Sequence, residues 1–409
     1  HILSGAVMDP KAMDELFPDW KDMGAPLNVP VTEDQVLYMT NDSGAIKVPL
    51  MFAPGFHNDG NYVISLGNVC RWLAEQAEGM GVEVYPGFAA SEVLYHEDGS
   101  VKGIATGDMG RDKDGNQTDA NEPGMELHAK YTFMAEGCRG SLGKQIIARF
   151  NLRDGVQEQT YGIGIKELWK VAPGKATPGK VQHTVGWPLD PAIYGGSFIY
   201  HMEDDQVAIG FVCGLDYADP EFSPFEAFQQ FKHHPLIKPL LEGGEIISSG
   251  ARTITEGGYQ SLPRVEMPGA ILVGDAAGTL NVPKIKGTHQ AMRSGMLAAE
   301  HLAVTSKPAG FDERLRASPV MAELHKVRNI RPGFHKGLWK GFFTAAIETI
   351  TAGKLKRTLP QHADHSQLQR ASGFEQPDRQ WVERDLAPRD RLASVYFATT
   401  AHDEDQPVH

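Results

Sequence analysis

Residues 270–300 read AILVGDAAGTLNVPKIKGTHQAMRSGMLAAE: a short apolar run, a Gly-Asp turn, a Pro-Lys-x-Lys-Gly-Thr loop and a helix rich in small residues. Ile271 to Val273 predict a buried strand. Gly274 allows a sharp turn that places Asp275 at the strand's carboxyl end, where ligands of open α/β sheets collect. A carboxylate there accepts from the hydroxyls of a ribityl chain. After Pro283 the backbone turns again, and Gly287-Thr288 open a helix whose unpaired amides and positive dipole end suit the electron-rich N1/O2 edge of an isoalloxazine ring. Turn, hydroxyl acceptor and helix start in this order predict a flavin. A plain strand-turn-helix of an α/β domain is the ordinary alternative.

Working outward, Leu66, Val69, Trp72, Leu73, Ala77 and Met80 recur at helical spacing, and GVEVYPG (81–87) after them predicts a strand containing Val84. SEVLYHEDGSVKGIATGD predicts a hairpin turning at Asp98-Gly99. A polar loop is expected over 108–123, then a strand in HAKYTFMAEGCRGSLGKQ that ends at Glu136-Gly137, with Ser141 opening a helix. Residues 1–60 read as irregular, with Pro and Gly breaking up short apolar pieces. From 158 to 260 the pattern changes to alternation with aromatics (YGIGIKELW, HTVGWPL, YGGSFIYHM, VAIGFVCGL). This predicts an antiparallel sheet inserted into the nucleotide-type domain, with a helix around Pro224 to His233.

Beyond 311 the chain is expected to be helical. Phe334, Leu338, Phe342, Ala346 and Ile350 recur every four residues, with Trp339, Phe343 and Ile347 beside them and Lys336, Lys340, Thr344 and Glu348 opposite. Arg328, Arg331, Lys354, Lys356 and Arg357 border this stretch, the pattern of a helix lying in a membrane interface. A core-facing helix fits the same spacing.

Composition sets bounds on function. The chain has 409 residues and a formal charge of −13, room for two or three cores and a poor match to a phosphate backbone, so no nucleic-acid partner is expected. Its three cysteines, Cys70, Cys138 and Cys213, are far apart and in no C-x-x-C spacing. They offer neither a disulfide framework nor a metal or iron-sulfur ligand set. No run reaches the ~18 apolar residues that a spanning helix needs.

Several long strings, LFPDWKDMGAPLNVPVTEDQ, EGMGVEVYPGFAASEVLYHEDGSVKGIAT, TYGIGIKELW, HTVGWPLD, YGGSFIYH, NVPKIKGTHQAM, the opening HILSGAVMDP and the closing DEDQPVH, resemble the electron transfer flavoprotein-ubiquinone oxidoreductase family. The resemblance implies an FAD domain, an inserted ubiquinone-binding domain with a membrane-contacting surface, and a ferredoxin-like domain with a 4Fe-4S cluster. Electrons would pass from reduced electron transfer flavoprotein through FAD and the cluster to ubiquinone. The family's G-x-G-x-x-G unit and four-cysteine domain are not in this sequence, so they are expected before His1 and after His409. Ser65 stands where the resemblance implies an arginine.

The expected architecture is α+β / α/β, a two-dinucleotide-type FAD domain with an inserted antiparallel quinone-binding sheet and a membrane-surface helix. The segments are 1–157 and 263–310 for FAD, 158–262 for ubiquinone, 311–360 helical and membrane-contacting, and 361–409 a surface tail. The resemblance assigns Gly274, Asp275, Gly287, Thr288, Asn281, Glu136, Gly137 and Val84 to FAD. It assigns Tyr194, Gly195, Gly196 and Phe198 to ubiquinone, with paired glycines admitting close approach of the ring and Met51 to Phe56 near a membrane-facing mouth. A β-bulge would use the same glycines, and Asn281 in a turn often caps local backbone instead. Phe334, Leu338, Trp339, Phe342, Phe343 and Ile347 are the expected membrane contacts.

No acid-base pair is expected, and His57, His183, His201 and His289 stand out only because histidine titrates near neutrality. The expected home is the matrix side of the mitochondrial inner membrane or the cytoplasmic side of a bacterial one. Two other readings are a flavoenzyme of the geranylgeranyl-reductase type and a noncatalytic lipid-binding remnant.

Overall fold

Strands rich in Val, Ile and aromatics need partners on both edges, and here they find them in a seven-stranded sheet. The computed structural model describes residues 5–52, 54–112 and 114–374. In spatial order the sheet runs Glu245–Thr255, Tyr161–Lys170, Gln206–Gly214, Gly195–His201, Lys180–Gly186, Glu33–Met39, Ala45–Val48. All neighbours are antiparallel except Lys180–Gly186 and Glu33–Met39, which pair in parallel with His183 opposite Val36. The antiparallel sheet expected over 158–262 is therefore extended by two strands from residues read as irregular. Asp34 fixes this edge: its carboxylate accepts from the Asn58 backbone N–H at 2.7 Å and from Asn58 Nδ2 at 2.6 Å.

Alternation along the central strands supplies two apolar faces. Ile199, Ile209 and Phe211 pack under Phe228 and Phe231 of the helix Pro224–Lys232, which forms as predicted with Ser223 accepting from the Glu226 N–H as N-cap. Phe198, Tyr200, Leu168 and Ala208 face the other way, onto Val7, Val29 and Val63. Glu167 and Lys232 are buried within this unit and bonded at 2.9 and 3.0 Å, and Trp169 Nε1 donates to the same carboxylate at 2.8 Å.

The second core surrounds a small sheet in which Thr132–Met134 and Ala270–Leu272 run parallel, Met134 opposite Leu272. The helices Ser141–Arg149, Thr288–Thr305, Phe311–Arg316 and Pro319–Val327 cover it. The predicted hairpin forms from Ala90–Tyr95 and Val101–Thr106, and the polar loop after it folds into a small ladder, Met109–Arg111 with Gln117–Glu122. The helix Leu66–Gly79 starts on Ser65, whose hydroxyl accepts from Asn68 N–H at 3.3 Å.

The strand expected over 81–87 does not form. Val82, Val84 and Tyr85 are 54%, 37% and 53% exposed, and no strand among the described residues lies alongside them to complete a ladder. The expected helix from Phe334 is also broken. Gly337 in a left-handed conformation (φ 90°) separates the turn Phe334–Lys336 from the helix Leu338–Ile350.

That last helix is turned against the usual pattern. Leu338, expected as a membrane contact, instead faces inward with Gly341 and Glu348, while Trp339, Phe343 and Ile350 are 66%, 69% and 84% exposed. Glu348, expected on the outer polar face, is fully buried because Asn329 Nδ2 donates to both its oxygens at 3.1 and 3.2 Å and Arg328 lies 3.6 Å away. Satisfied in this way, the carboxylate is tolerated inside.

Replacing Lys232 with Met should lower stability by about 3–5 kcal/mol, because Glu167 would stay buried without its counter-ion. The pair Glu167→Leu with Lys232→Met should recover most of the loss in guanidinium melts. Equal stability of wild type and Lys232→Met would show that the ion pair is dispensable.

Candidate functional site

The two predicted ligand-facing turns leave the carboxyl ends of adjacent parallel strands, so the fold brings them side by side. Gly274 takes a left-handed conformation (φ 59°), and its N–H donates to Ser294 Oγ at 2.7 Å on the helix Thr288–Thr305. A Cβ on Gly274 would stand 3.3 Å from Ala291 Cβ, so turn and helix meet closely. Gly287 is the N-cap of that helix. Gly274, Asp275, Gly287 and Thr288 thus belong to one strand-turn-helix corner, with Glu136 and Gly137 beside it.

Asp275 is the telling residue. Its side chain has no hydrogen-bond or ion-pair partner among the described residues, and burial pushes its carboxyl up to about 6. Half-buried and without a protein partner, this acceptor is open on the side between the two turns, where a ligand hydroxyl can meet it. Nearby, Thr279 is fully buried with Oγ1 unpartnered. The Cys138 thiol, pushed up to about 11 by burial and the Asp275 charge, donates to the Thr253 carbonyl at 2.7 Å. These residues fit a polyhydroxylated ligand entering between the two turns.

Other expected residues are used differently. The Glu136 carboxylate accepts from Leu142 and Gly143 N–H at 3.2 and 2.6 Å, capping the helix Ser141–Arg149, which leaves backbone at Glu136-Gly137 for a ligand. Asn281 donates to Glu323 at 2.7 Å and accepts from Lys284 N–H at 3.3 Å, the capping alternative. Burial would raise Glu323, but His289, Lys284 and Asn281 hold it at about 2. Val84 stands apart, exposed and outside any ladder. His201 is held between Thr177 N–H and Gln182, and His57 is exposed. His183 bonds Tyr200 at 3.1 Å and is pushed down to about 3 by burial, then by Lys286. Lys286, buried just before the helix start, is lowered to about 8 by burial and by Lys284.

Tyr194 precedes the central strand of the large sheet, Gly195–His201, and lies against the helical region. Its ring meets Phe334 at 5.0 Å and lies under the Arg331 guanidinium at 4.3 Å. Gly195 and Gly196 begin the strand Gly195–His201, and a Cβ on either would fall 2.2 Å from a neighbouring carbonyl, that of Val212 or Thr184. Close strand approach therefore already requires both glycines. Phe198 is buried and stacked on Tyr200 at 4.5 Å.

One connection was not foreseen. Gln159 accepts from Gly257 N–H at 2.7 Å, and its Nε2 stands 3.0 Å from where Gly278 would carry a Cβ, tying the end of the strand Glu245–Thr255 to the Asp275 turn. This pairing is long-range, and no local pattern signals it. Among the described residues no group of three or more His, Cys, Asp or Glu is arranged to hold a metal.

Comparison with known proteins places this geometry. Residues 161–254 match the family described as ETF-QO, ubiquinone-binding. The chain is 49% identical over 422 residues to electron transfer flavoprotein-ubiquinone oxidoreductase of Pseudomonas aeruginosa, covering all of this chain and 76% of the relative. It is 50% identical over 432 residues to the mitochondrial protein of that name from Rattus norvegicus, covering all of this chain and 69% of the relative. Among solved structures, a geranylgeranyl bacteriochlorophyll reductase-like protein of Thermoplasma acidophilum superposes with a TM-score of 0.52 at 16% identity, over 89% of this chain and 79% of that one. A flavin-dependent brominase gives 0.53 at 14%, over 86% and 84%. These last two show a shared fold.

Replacing Asp275 with Ala should raise the dissociation constant for FAD roughly 10- to 100-fold, the loss of one charge-assisted hydrogen bond. Titration of apoprotein with FAD, followed by flavin fluorescence, would measure it. Unchanged affinity would remove Asp275 from the site.

Proposed function

This chain belongs to the electron transfer flavoprotein-ubiquinone oxidoreductase family, and we propose how its residues serve electron transfer from electron transfer flavoprotein to ubiquinone. The observation that carries the reading is identity near one half along the whole chain, together with a half-buried, unpartnered Asp275 where a flavin ribityl group would bind. When bound, FAD supplies a centre that takes up and releases electrons one or two at a time.

Gly274 lets the backbone turn close to the cofactor, Asp275 accepts from its ribityl chain, and the Gly287-Thr288 helix start turns amide groups toward its pyrimidine edge. Backbone at Glu136-Gly137 faces the adenosine side. Lys286 adds a buried positive charge next to this helix start, which favours a reduced, anionic ring. Ubiquinone is assigned to Tyr194, Gly195, Gly196 and Phe198, within the matched segment 161–254. Tyr194 offers an aromatic wall there, and the start of the strand offers backbone polar groups. The Gln159 link and the strand Glu245–Thr255 join this end of the sheet to the flavin corner.

Membrane contact falls to the outward face of the helix Leu338–Ile350. Trp339, Phe342, Phe343 and Ile350 are exposed, and Tyr38 packs on Trp339 at 5.7 Å, carrying the apolar surface toward Ile46 and Met51, 60% and 79% exposed. Lys336, Lys340, Lys354, Lys356 and Arg357 are exposed around it and suit anionic headgroups. Among the described residues no helix is long and apolar enough to cross a membrane. Such a surface lets a lipid-soluble quinone enter without leaving the bilayer. A 4Fe-4S cluster, implied by the family resemblance, needs four thiolates and would have to be held outside this chain's three cysteines.

With reduced electron transfer flavoprotein as donor, full-length FAD-loaded protein should reduce a short-chain ubiquinone analogue. Absence of quinone reduction would favour a reductase of the geranylgeranyl type. The double variant Trp339→Asp with Phe343→Asp should lose cosedimentation with anionic liposomes while keeping its FAD absorbance. Retained sedimentation would exclude this helix as the contact.

A further inference from the structure

A cluster of buried charge beside Tyr194 is left unused by electron transfer itself. Arg331, 3% exposed, donates from Nε to Glu256 Oε2 at 2.7 Å and from Nη2 to Asp216 Oδ1 at 2.8 Å. Glu256 follows the strand Glu245–Thr255 and Asp216 follows Gln206–Gly214, the two strands that flank Tyr161–Lys170. Glycines make room for them. A Cβ on Gly162 would fall 2.3 Å from Glu256 Oε1, and one on Gly214 would fall 2.6 Å from Asp216 Oδ1 and 3.4 Å from Glu256 Oε2. Both carboxylates therefore reach into one small space.

The cluster has an outer and an inner end. Outward, His335 Nδ1 meets Asp216 Oδ2 at 3.1 Å and His335 Nε2 meets Gln361 Oε1 at 3.1 Å, while the His335 ring lies 5.0 Å from that of His362, which is exposed to solvent. Inward, the Arg331 guanidinium covers the Tyr194 ring at 4.3 Å. Glu256 Oε1 and Arg331 Nη1 are buried with no hydrogen-bond partner among the described residues. Leaving such atoms unpartnered is costly, a cost that a site for transient protons or polar ligands explains.

Quinone reduction consumes protons as well as electrons, and a pocket opening toward lipid cannot draw them from the bilayer. We propose that His362, His335, Asp216 and Glu256, held in line by Arg331, form the route by which protons from water reach the quinone pocket at Tyr194, an inference that rests on the quinone assignment above. In each turnover the two electrons come from reduced electron transfer flavoprotein, and each carbonyl oxygen of the quinone gains one proton, giving the quinol. Glu256 releases its own proton to the quinone, is reprotonated through the space it shares with Asp216, and releases a second, so that both protons of the quinol come by this route. His335 resupplies Asp216, and His362 takes up replacement protons from water.

The surroundings suit these roles. Burial pushes Glu256 up, opposed by Arg331 and reinforced by Asp216, so that it takes up a proton more readily than an exposed carboxylate does. Burial would also raise Asp216, but His335 and Arg331 hold it far below the usual carboxylate range, so it takes a proton only in transit between His335 and Glu256. Cys213, Tyr194 and Asp364 are the other titratable groups facing the cluster. All three are raised first by burial, Asp364 to about 6.

The test uses full-length FAD-loaded protein in vesicles, with reduced electron transfer flavoprotein as donor. Glu256→Gln should lower kcat for a ubiquinone analogue on the order of 100-fold. Its quinone KM and its transfer to ferricyanide, which takes up no proton, should not change. His362→Ala, an exposed change that leaves the core intact, should slow quinone turnover, with rescue by added imidazole. Wild-type quinone kcat and pH profile in both variants would overturn the route, as would a parallel loss of quinone and ferricyanide turnover. If wild-type protein reduces ferricyanide but not the quinone, the quinone assignment itself falls.

Discussion

The Arg331 guanidinium holds the molecule together at the place where its parts meet. It bonds carboxylates that end two strands of the large sheet, covers Tyr194 at the start of a third, and belongs to the helical region that presents Trp339 and Phe343 to solvent. A buried cation of this kind is stable only with its counter-ions in place. The positions of the helix Leu338–Ile350, the sheet and the segment around Gln361, which bonds His335 and donates to the Gly257 carbonyl at 3.0 Å, are therefore set together. Through Gln159 and Gly257 the same junction touches the Asp275 turn.

On the proposed reading, this arrangement lets one chain serve a flavin and a lipid-soluble quinone. The flavin corner is built on parallel strands and a helix start, the usual place for such ligands. The quinone assignment lies on an antiparallel sheet whose edge and neighbouring helix expose apolar side chains together. Glu348 shows how far the fold goes to achieve that. The helix buries its carboxylate on Asn329 and leaves its aromatics outside, a pattern that makes sense at a membrane surface and little sense in a protein surrounded by water.

What could be read from sequence was local. Gly274, Asp275 and the helix start at Gly287 follow from turn and dipole chemistry within twenty residues, and the hairpin at Asp98-Gly99 and the helix from Pro224 follow from equally short signals. What was missed was long-range. Glu33–Met39 alternates plausibly, but its partner Lys180–Gly186 lies about 150 residues on, so its place in the sheet had no local sign. Val84 had strand-like composition and no neighbour to pair with among the described residues. Glu348 looked solvent-facing because helical spacing says nothing about Asn329 and Arg328 waiting across the fold. The family strings brought in the quinone residues, which spacing alone left equally compatible with a strand made tight by glycine.

The central claim is that ubiquinone reaches this protein beside Tyr194, from the membrane side of the Arg331 junction. Its most direct test is photolabelling of the full-length, vesicle-bound protein with an azido-ubiquinone, followed by peptide mapping. The account predicts label on the peptide spanning residues 191–198, competed away by unlabelled quinone. Competable label confined to residues outside 161–254 and away from the helix Leu338–Ile350 would contradict it.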